Sequence, residues 1–230
     1  MTKVAAFLPL KANSSRVPGK NFKEFCGKPL FRWVFDNLLS ISEIDLIIIN
    51  TDARSILLQH GLKESERVII RDRPKEICGD DISMNKIISD DVKNVSADTY
   101  IMTHTTNPLL SKNTISSALK IFRSHIKANT ADSLFTVNKI QTRFYDGDAK
   151  AINHDPKNLI PTQNLEPWYE ENSNLYIFSE DSFKKTNARI GLRPSMYVTP
   201  FLESIDIDTP QDWEKGVLTT NYLIKSGLIK

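Results

Sequence analysis

The chain has 230 residues, enough for one large domain, and its 30 Lys and Arg against 28 Asp and Glu leave a formal charge of +2. This near balance lacks the basic excess of a nucleic-acid binder. A hydrophobic content of 40%, with no apolar run of the roughly 20 residues that a membrane span needs, excludes a disordered chain and a membrane-embedded one.

The first apolar run, residues 4–10, is too short and too quickly broken for a signal peptide, which predicts a cytoplasmic protein. Apolar runs then alternate with helical stretches along most of the chain. In chain order the pattern predicts a strand at 4–10, a helix at 28–39, a strand at 46–50, a helix capped by Thr51 and Asp52, a strand at 68–70, a helix at 83–95, a strand at 99–104, a helix at 112–127, strands at 134–137 and 174–178, and a helix at 210–226.

This alternation predicts an α/β protein whose mostly parallel sheet carries helices on both faces. We expect residues 1–230 to form a single domain, with the irregular segment 138–171 as an insertion. Ligands of such sheets bind outside the carboxyl ends of the strands. The residues that follow Leu10, Asn50, Ile70 and His104 are therefore the place to look for a site.

The loop after the first predicted strand carries three cations, Lys11, Arg16 and Lys20, among small residues. Cations and close backbone at the mouth of a parallel sheet can bind a polyphosphate. The loop contains neither the GxxxxGK[ST] sequence nor the GxGxxG sequence of the familiar phosphate-binding loops. The alternative is an ordinary solvated basic loop.

A second candidate feature is the pair Asp206 and Asp208 near the end of the sequence. Residues two apart in a strand share a face, so both carboxylates would lie side by side. Like charges at that spacing favour a cation between them, and Mg²⁺ shared with a phosphate is suited to oxygen ligands. The alternative is that Asp208 caps the helix that begins near Pro210.

These segments, taken together, resemble the cytidylyltransferases that activate nine-carbon and eight-carbon 2-keto sugar acids, of which the CMP-sialic acid synthetases are the best-known members. The first loop of that family reads A-R-x-x-S-x-R/G-x-P-x-K-N, and here it reads LKANSSRVPGKN. The matches keep their order over residues 4–213. The matching segments are residues 10–21, 50–52, 73–83, 104–108, 171–176, 189–191 and 203–212.

The resemblance implies a Rossmann-like nucleotidyltransferase fold and the transfer of CMP from CTP to the anomeric hydroxyl of a sugar acid, with release of pyrophosphate. It implies Mg²⁺ as cofactor, CTP and a sugar acid as partners, and a homodimer built through segment 138–171. By position, the catalytic residues are Lys11, Arg16, Lys20 and Asp206; the nucleotide-binding residues are Lys11, Asn21, Arg73 and Ser83; the metal ligands are Asp206 and Asp208; and the sugar-pocket residues are His104 and Tyr176.

Three departures from the family bear on the substrate. Lys11 replaces an arginine and His104 replaces a glutamine, while Thr162 stands where sialic-acid enzymes often carry an arginine. The missing arginine favours legionaminate, pseudaminate or another modified acid over N-acetylneuraminate, and Arg143 is a candidate to replace its charge. The proton acceptor stays open among Glu203, Asp206 and a metal-bound hydroxide.

Two other functions fit parts of the pattern. Metal-dependent glycosyltransferases that use nucleotide-sugars also carry an Asp-x-Asp pair, but usually in mid-chain and without the basic loop. A non-catalytic nucleotide-binding relative is suggested by the substitutions at positions 11, 104 and 162, and is opposed by the intact Arg16, Lys20 and acid pair.

Overall fold

A seven-stranded sheet runs through the computed structural model, which describes residues 3–229. The strands are β1 (Val4–Phe7), β2 (Glu24–Phe25), β3 (Lys28–Pro29), β4 (Leu46–Thr51), β5 (Val68–Asp72), β6 (Thr99–Thr103), β7 (Ser133–Ile140), β8 (Trp168–Ser179) and β9 (Pro194–Val198). The helices are α1 (Leu30–Leu39), α2 (Arg54–Gln59), α3 (Met84–Asn94), α4 (Lys112–Ala128), α5 (Glu180–Thr186) and α6 (Pro210–Lys225).

The strand order is β5-β4-β1-β6-β8-β7-β9, and β8 is antiparallel to both of its neighbours while the other pairings are parallel. Strands β2 and β3 form a separate small hairpin. All four residues of β1 are buried, as expected for a strand between two layers of helices. The predicted α/β class with a mostly parallel sheet is confirmed.

Apolar cores lie on both faces of the sheet. On one face α1 and α4 pack their buried residues, such as Phe31 and Phe122, against β1 and β4. On the other face Ile88 of α3 and Phe183 of α5 pack against alternate residues of the same strands. A third cluster attaches α6 to the small hairpin, with Phe25 at its centre. None of the helices within residues 3–229 has both the length and the apolar character needed to cross a membrane.

Several local predictions need correction. The helix predicted from residue 28 begins at Leu30, because residues 28–29 form β3. Thr51 and Asp52 do not cap α2, whose first flanking residue is Ala53. Instead the Thr51 side chain accepts from the Ala53 amide, and Asp52 accepts from the Ala12 amide at 2.7 Å. The hairpin, α5 and β9 were not predicted.

The segment 138–171 is also more regular than its composition indicates. Strand β7 continues to Ile140 and β8 begins at Trp168, and the two pair antiparallel through Val137 opposite Glu171. Residues 138–171 therefore form a two-stranded extension of the sheet, which we call the arm, whose irregular part is residues 141–167.

Candidate active site

A cleft of about 240 Å³ opens at the carboxyl ends of β1 and β6, where the parallel topology predicts a ligand site. Residues that follow β1, β5 and β6 form its walls, together with the turn before α3 and one residue before α6. The lining residues are Pro9, Leu10, Lys11, Ser14, Ser15, Arg16, Lys20, Asn21, Arg73, Gly79, Asp80, Ile82, Met84, Ile87, His104, Thr105, Thr106 and Asp208.

The basic loop after β1 is fixed by side-chain amides and a tight turn. The Asn21 amide donates to the Lys11 carbonyl at 2.8 Å and accepts from the Thr105 hydroxyl at 2.6 Å. Gly19 has a φ of +62°, a conformation that favours glycine, and its carbonyl accepts from the Phe22 amide. Asn21 is thus buried and holds the loop in place, so its effect on a nucleotide would come through the loop backbone.

Two of the loop cations contact Asp208 of the acid pair. Lys20 and Arg16 both contact the Asp208 carboxylate, with N–O distances of 3.0 Å each. Lys20 is buried and also donates to the Ile207 carbonyl at 2.5 Å, whereas Arg16 is exposed. The structure therefore brings together the basic loop and the acid pair, which are separated by almost 190 residues in the sequence.

The third loop cation, Lys11, pairs with Asp80 across the cleft. The hydrogen bond from Lys11 lowers the pKa of the Asp80 carboxyl below its ordinary value. Both groups are substantially exposed, so the pair holds little energy and can separate when an anion enters.

The acid pair lies on an extended segment outside the sheet, which corrects the prediction of a strand. Ile207 donates its amide to the Thr106 carbonyl at 2.8 Å, and its buried side chain joins the third cluster. Thr209, not Asp208, caps α6, because its hydroxyl and the Asp212 carboxylate form a reciprocal capping box. The alternative role of Asp208 as a helix cap is therefore wrong, and its carboxylate lines the cleft.

The donor set fits a hard divalent cation. Oδ1 of Asp206 is buried and has no hydrogen-bond partner among residues 3–229, and burial raises the pKa of this carboxyl. Within the same range no group of three or more His, Cys, Asp or Glu side chains could hold a metal by itself. Two carboxylates completed by substrate phosphates are the arrangement that Mg²⁺ commonly takes.

Arg73 forms the back wall of the cleft beside β1 and β4. Its guanidinium donates to the Asn50 side chain at 2.8 Å, and to the carbonyls of Asn50 and Leu10 at 2.8 and 3.1 Å. Burial lowers the pKa of Arg73, yet an arginine keeps its charge under all ordinary conditions. A buried cation with uncharged hydrogen-bond partners is well suited to attract an anionic ligand.

His104 stands at the opposite wall, at the end of β6. Burial, with the nearby Arg189 cation, lowers its pKa to about 3, so the ring is neutral at physiological pH. A guanidinium nitrogen of Arg189 lies 3.4 Å from His104 Nε2. Tyr176 is buried and its hydroxyl donates a hydrogen bond to Glu171. The Arg189 guanidinium lies over the Tyr176 ring, 3.8 Å from the ring centroid.

The structure does not bring every predicted site residue to the cleft. Ser83 is exposed just before α3 and lies between the lining residues Ile82 and Met84. Arg143 is in the arm and donates to the Ile160 carbonyl at 2.8 Å. Glu203 accepts from the Ser111 amide at the start of α4 and is not among the residues that line the cleft.

Sequence reasoning did not assign roles to Arg189 or Asn50, and it expected Asp80 to cap α3, with a role beside the nucleotide left open. Ser83 is the residue that flanks the start of α3, and Asp80 pairs with Lys11 instead. All three residues stand in segments matched to the family. Their contacts depend on loops that meet only in the folded chain, so the motifs alone could not show which side chains face each other.

Comparison with known proteins gives one family. A family model described as Cytidylyltransferase matches residues 5–217. Pseudaminic acid cytidylyltransferase of Campylobacter jejuni is 26% identical over 221 residues, covering 90% of this chain and 91% of the relative. CMP-N,N'-diacetyllegionaminic acid synthase of Legionella pneumophila is 25% identical over 222 residues, covering 92% and 93% of the two chains.

A solved structure of CMP:2-keto-3-deoxy-manno-octonic acid synthetase complexed with CTP superposes with a TM-score of 0.65 at 16% identity. It covers 97% of this chain and 100% of the other, and supports the Rossmann-like nucleotidyltransferase fold. The match to the cytidylyltransferase model excludes the glycosyltransferase alternative. Because that match extends over nearly the whole sheet and its cleft, the chain belongs to the cytidylyltransferase family and is a nucleotidyltransferase.

Proposed function

We propose that the enzyme transfers CMP from CTP to the anomeric hydroxyl of a sialic-acid-like 2-keto sugar acid and releases pyrophosphate. The observation that carries this proposal is the meeting of Lys20 and Arg16 with Asp208 at the cleft mouth. Relatives named for pseudaminic and legionaminic acids match over nine-tenths of the chain and support the substrate class.

The basic loop is suited to bind the triphosphate. Lys11, Arg16 and Lys20 reach the cleft from one loop, and each is paired with a carboxylate. When the sugar hydroxyl attacks the α-phosphorus, the bond from that phosphorus to the pyrophosphate oxygen breaks. Charge that develops on the phosphate oxygens is then balanced by cations that the fold has already placed.

Asp206 and Asp208 would hold Mg²⁺, as the unpartnered oxygen of Asp206 suggests. When bound, the ion would neutralise phosphate charge and orient the nucleotide. Lys20 and Arg16 keep Asp208 directed into the cleft, and Arg73 with Asn21 shapes the wall against which the nucleoside would lie. A cytoplasmic location stays a prediction.

The experiment is pyrophosphate release with Mg²⁺ and CTP over a panel of acids: N-acetylneuraminate, legionaminate, pseudaminate and 3-deoxy-manno-octulosonate. ATP, GTP and UTP serve as nucleotide controls. We expect release with CTP and one of the modified nine-carbon acids, because Thr162 and His104 depart from the sialic-acid pattern. Release with N-acetylneuraminate as the best acid would contradict that choice of substrate.

Direct CTP binding separates the remaining outcomes. CTP binding without release from any acid would favour the non-catalytic alternative, while no CTP binding would contradict the assignment of the basic loop. The matched variants are Lys20→Gln and Lys23→Gln, since Lys23 is an exposed neighbour outside the cleft lining. Removal of a cation that stabilises phosphoryl transfer costs on the order of 10³-fold in rate, and we expect that loss at position 20 alone.

We also propose a homodimer in which the arm contributes to the contact. The arm exposes large apolar side chains, among them Leu159 at 59% and Tyr169 at 43%. Exposed apolar side chains grouped on one extension are typical of a protein contact.

A further inference from the structure

Arg189 is a cation beside the cleft, and the proposed reaction does not yet assign it a function. Its guanidinium lies 3.4 Å from Nε2 of His104, which lines the cleft. Its nearest carboxylate is that of Glu171 at 3.7 Å, too far for a hydrogen bond. The side chain is one-fifth exposed, so the cation is partly desolvated and its fork is not saturated.

The loop that carries Arg189 is held in one conformation. The Asp132 carboxylate accepts from the amides of Leu192 and Arg193 at 3.1 Å each, and Ser133 accepts from the Gly191 amide at 2.8 Å. A Cβ at Gly191 would lie 2.2 Å from the Asp132 carboxylate, so the close approach requires glycine at this position. The Arg189 amide also donates to the Asn85 side chain of α3 at 3.3 Å.

The side chain is oriented as firmly as the backbone. The Arg189 guanidinium stacks on the buried Tyr176 ring at 3.8 Å, a cation–π contact that fixes the plane of the fork. Tyr176 is itself fixed by its hydroxyl hydrogen bond to Glu171. A planar, fixed guanidinium is the geometry that recognises carboxylates with two parallel hydrogen bonds.

The position also suits the chemistry of the acceptor. In a 2-keto sugar acid the carboxylate is bonded to the anomeric carbon, so it must lie close to the attacking hydroxyl and the α-phosphate. His104 lines the same cleft as Lys20 and Asp208, so the His104–Arg189 pair lies close to the basic loop and to Asp208. The loop cations already have Asp80 and Asp208 as partners on the phosphate side.

We propose that Arg189 binds the carboxylate of the sugar acid, with His104 beside it, and so selects acidic sugars over neutral ones. This inference rests on the proposed function. Glu171 stays on the Tyr176 hydroxyl, and at 3.7 Å it leaves the guanidinium able to hydrogen-bond to the incoming carboxylate.

The test compares wild type with Arg189→Gln and Arg189→Lys, using pseudaminate or legionaminate, whichever the wild type turns over, and the C1 carboxamide of the same sugar. A hydrogen-bonded charge pair is worth about 1.5–3 kcal/mol, so Arg189→Gln should raise KM for the acid about 10- to 150-fold and leave KM for CTP unchanged. The variant should also lose the preference for acid over carboxamide. Arg189→Lys keeps the charge without the planar fork, so its KM for the acid should lie between those of wild type and Arg189→Gln.

The matched control is Arg193→Gln, on the same loop, whose guanidinium bonds to Asn129 away from the cleft. It should leave both KM values unchanged. An unchanged KM for the acid in Arg189→Gln, or an equal loss for acid and carboxamide, would overturn the inference and leave the proposed function intact.

A wild type that turns over no acid contradicts the proposed function instead. In that case calorimetric binding of the same acids to the CTP-loaded wild type and Arg189→Gln proteins still decides the role of Arg189. Binding by wild type that is weakened in the variant supports it, and equal binding or none contradicts it.

Discussion

Asp208 is the residue on which the charges of the cleft converge. It accepts from buried Lys20 and forms an ion pair with exposed Arg16, and it lines the cleft, whereas Asp206 is not among the lining residues. A carboxylate held by two cations has a fixed direction, which suits a ligand of a divalent cation. We therefore expect substitution of Asp208 to affect Mg²⁺ dependence and turnover more than the stability of the fold.

We predict that Asp208→Asn lowers turnover by at least about 10²-fold and raises the Mg²⁺ concentration needed for half-maximal rate, because a metal ion supplies several kcal/mol of transition-state stabilisation. Rate measured against Mg²⁺ concentration, with thermal unfolding beside it, checks this. Asp212→Asn is the matched control. Its carboxylate completes the capping box, so it should lose about 1 kcal/mol of stability and keep the metal dependence. An unchanged Mg²⁺ response in Asp208→Asn would remove Asp208 from the metal site.

A second residue-level feature lies behind the cleft. The Asn50 side chain accepts from Arg73 and donates to the Asp91 carboxylate at 2.9 Å. Arg71 pairs with both Asp90 and Asp91, and one oxygen of buried Asp91 has no partner within residues 3–229. Burial outweighs these contacts and raises the pKa of Asp91 to about 6. Asn50, which orients Arg73, is thus bonded to a carboxyl that gains a proton in mildly acidic solution.

This pKa predicts a pH-dependent stability. The folded value of about 6 lies above the ordinary 3.8, so the folded chain binds the proton more tightly. The stabilisation that this proton gives is present below about pH 4 and is lost as pH rises through 6. A two-unit shift corresponds to about 3 kcal/mol. As pH rises from 4 to 8, the free energy of unfolding of Asp91→Asn should therefore increase relative to that of wild type by up to this amount.

Urea unfolding of both proteins across that pH range measures the difference. Ser89→Ala, a change on the same helix that removes no titrating group, should differ from wild type by an amount that does not vary with pH. If the difference in unfolding free energy between Asp91→Asn and wild type is also independent of pH, the pKa of Asp91 is not raised in the folded protein.

At the scale of elements, the strands with continuous burial were predictable and the elements that depend on distant partners were not. Strands β1, β4 and β6 consist of apolar runs, so their positions could be read from composition along the chain. The hairpin of β2 and β3 has only two residues in each strand, and β9 alternates between exposed and half-buried residues beside β7. Neither pattern identifies a strand until its partner is known.

The same distinction applies to the site. The basic loop and the acid pair were predictable because each is a short cluster of charges with a clear chemical use. Only the resemblance indicated that they share one site; the charge clusters alone could not, because the contact depends on α6 and on Ile207, whose amide bonds the acid segment to Thr106. Arg189 stands in a matched segment, but the sequence does not indicate its role, since its position above Tyr176 arises from a loop fixed by Asp132.

At the scale of the whole molecule, the arm is the part that a single chain leaves unpacked. Phe144 and Trp168 stack at 5.0 Å and hold the irregular segment against the two strands. Further out, Leu159 and Tyr169 are exposed, and near the adjoining sheet edge Phe201 is 85% exposed. Burial of such side chains stabilises association by roughly 25 cal/mol per Å² of apolar area, before the costs of binding are subtracted.

We therefore predict that the protein sediments at twice the 26.2 kDa of one chain, and that the double variant Leu159→Asp, Tyr169→Asp sediments as a monomer. Two charges placed on an apolar contact leave desolvated carboxylates without partners, which disfavours association strongly. Leu218→Asp on α6 is the matched control, since Leu218 is 73% exposed and lies away from the arm. If the control also loses the dimer, the contact does not depend on the arm. If the wild type is monomeric at micromolar concentration, the proposed dimer does not exist.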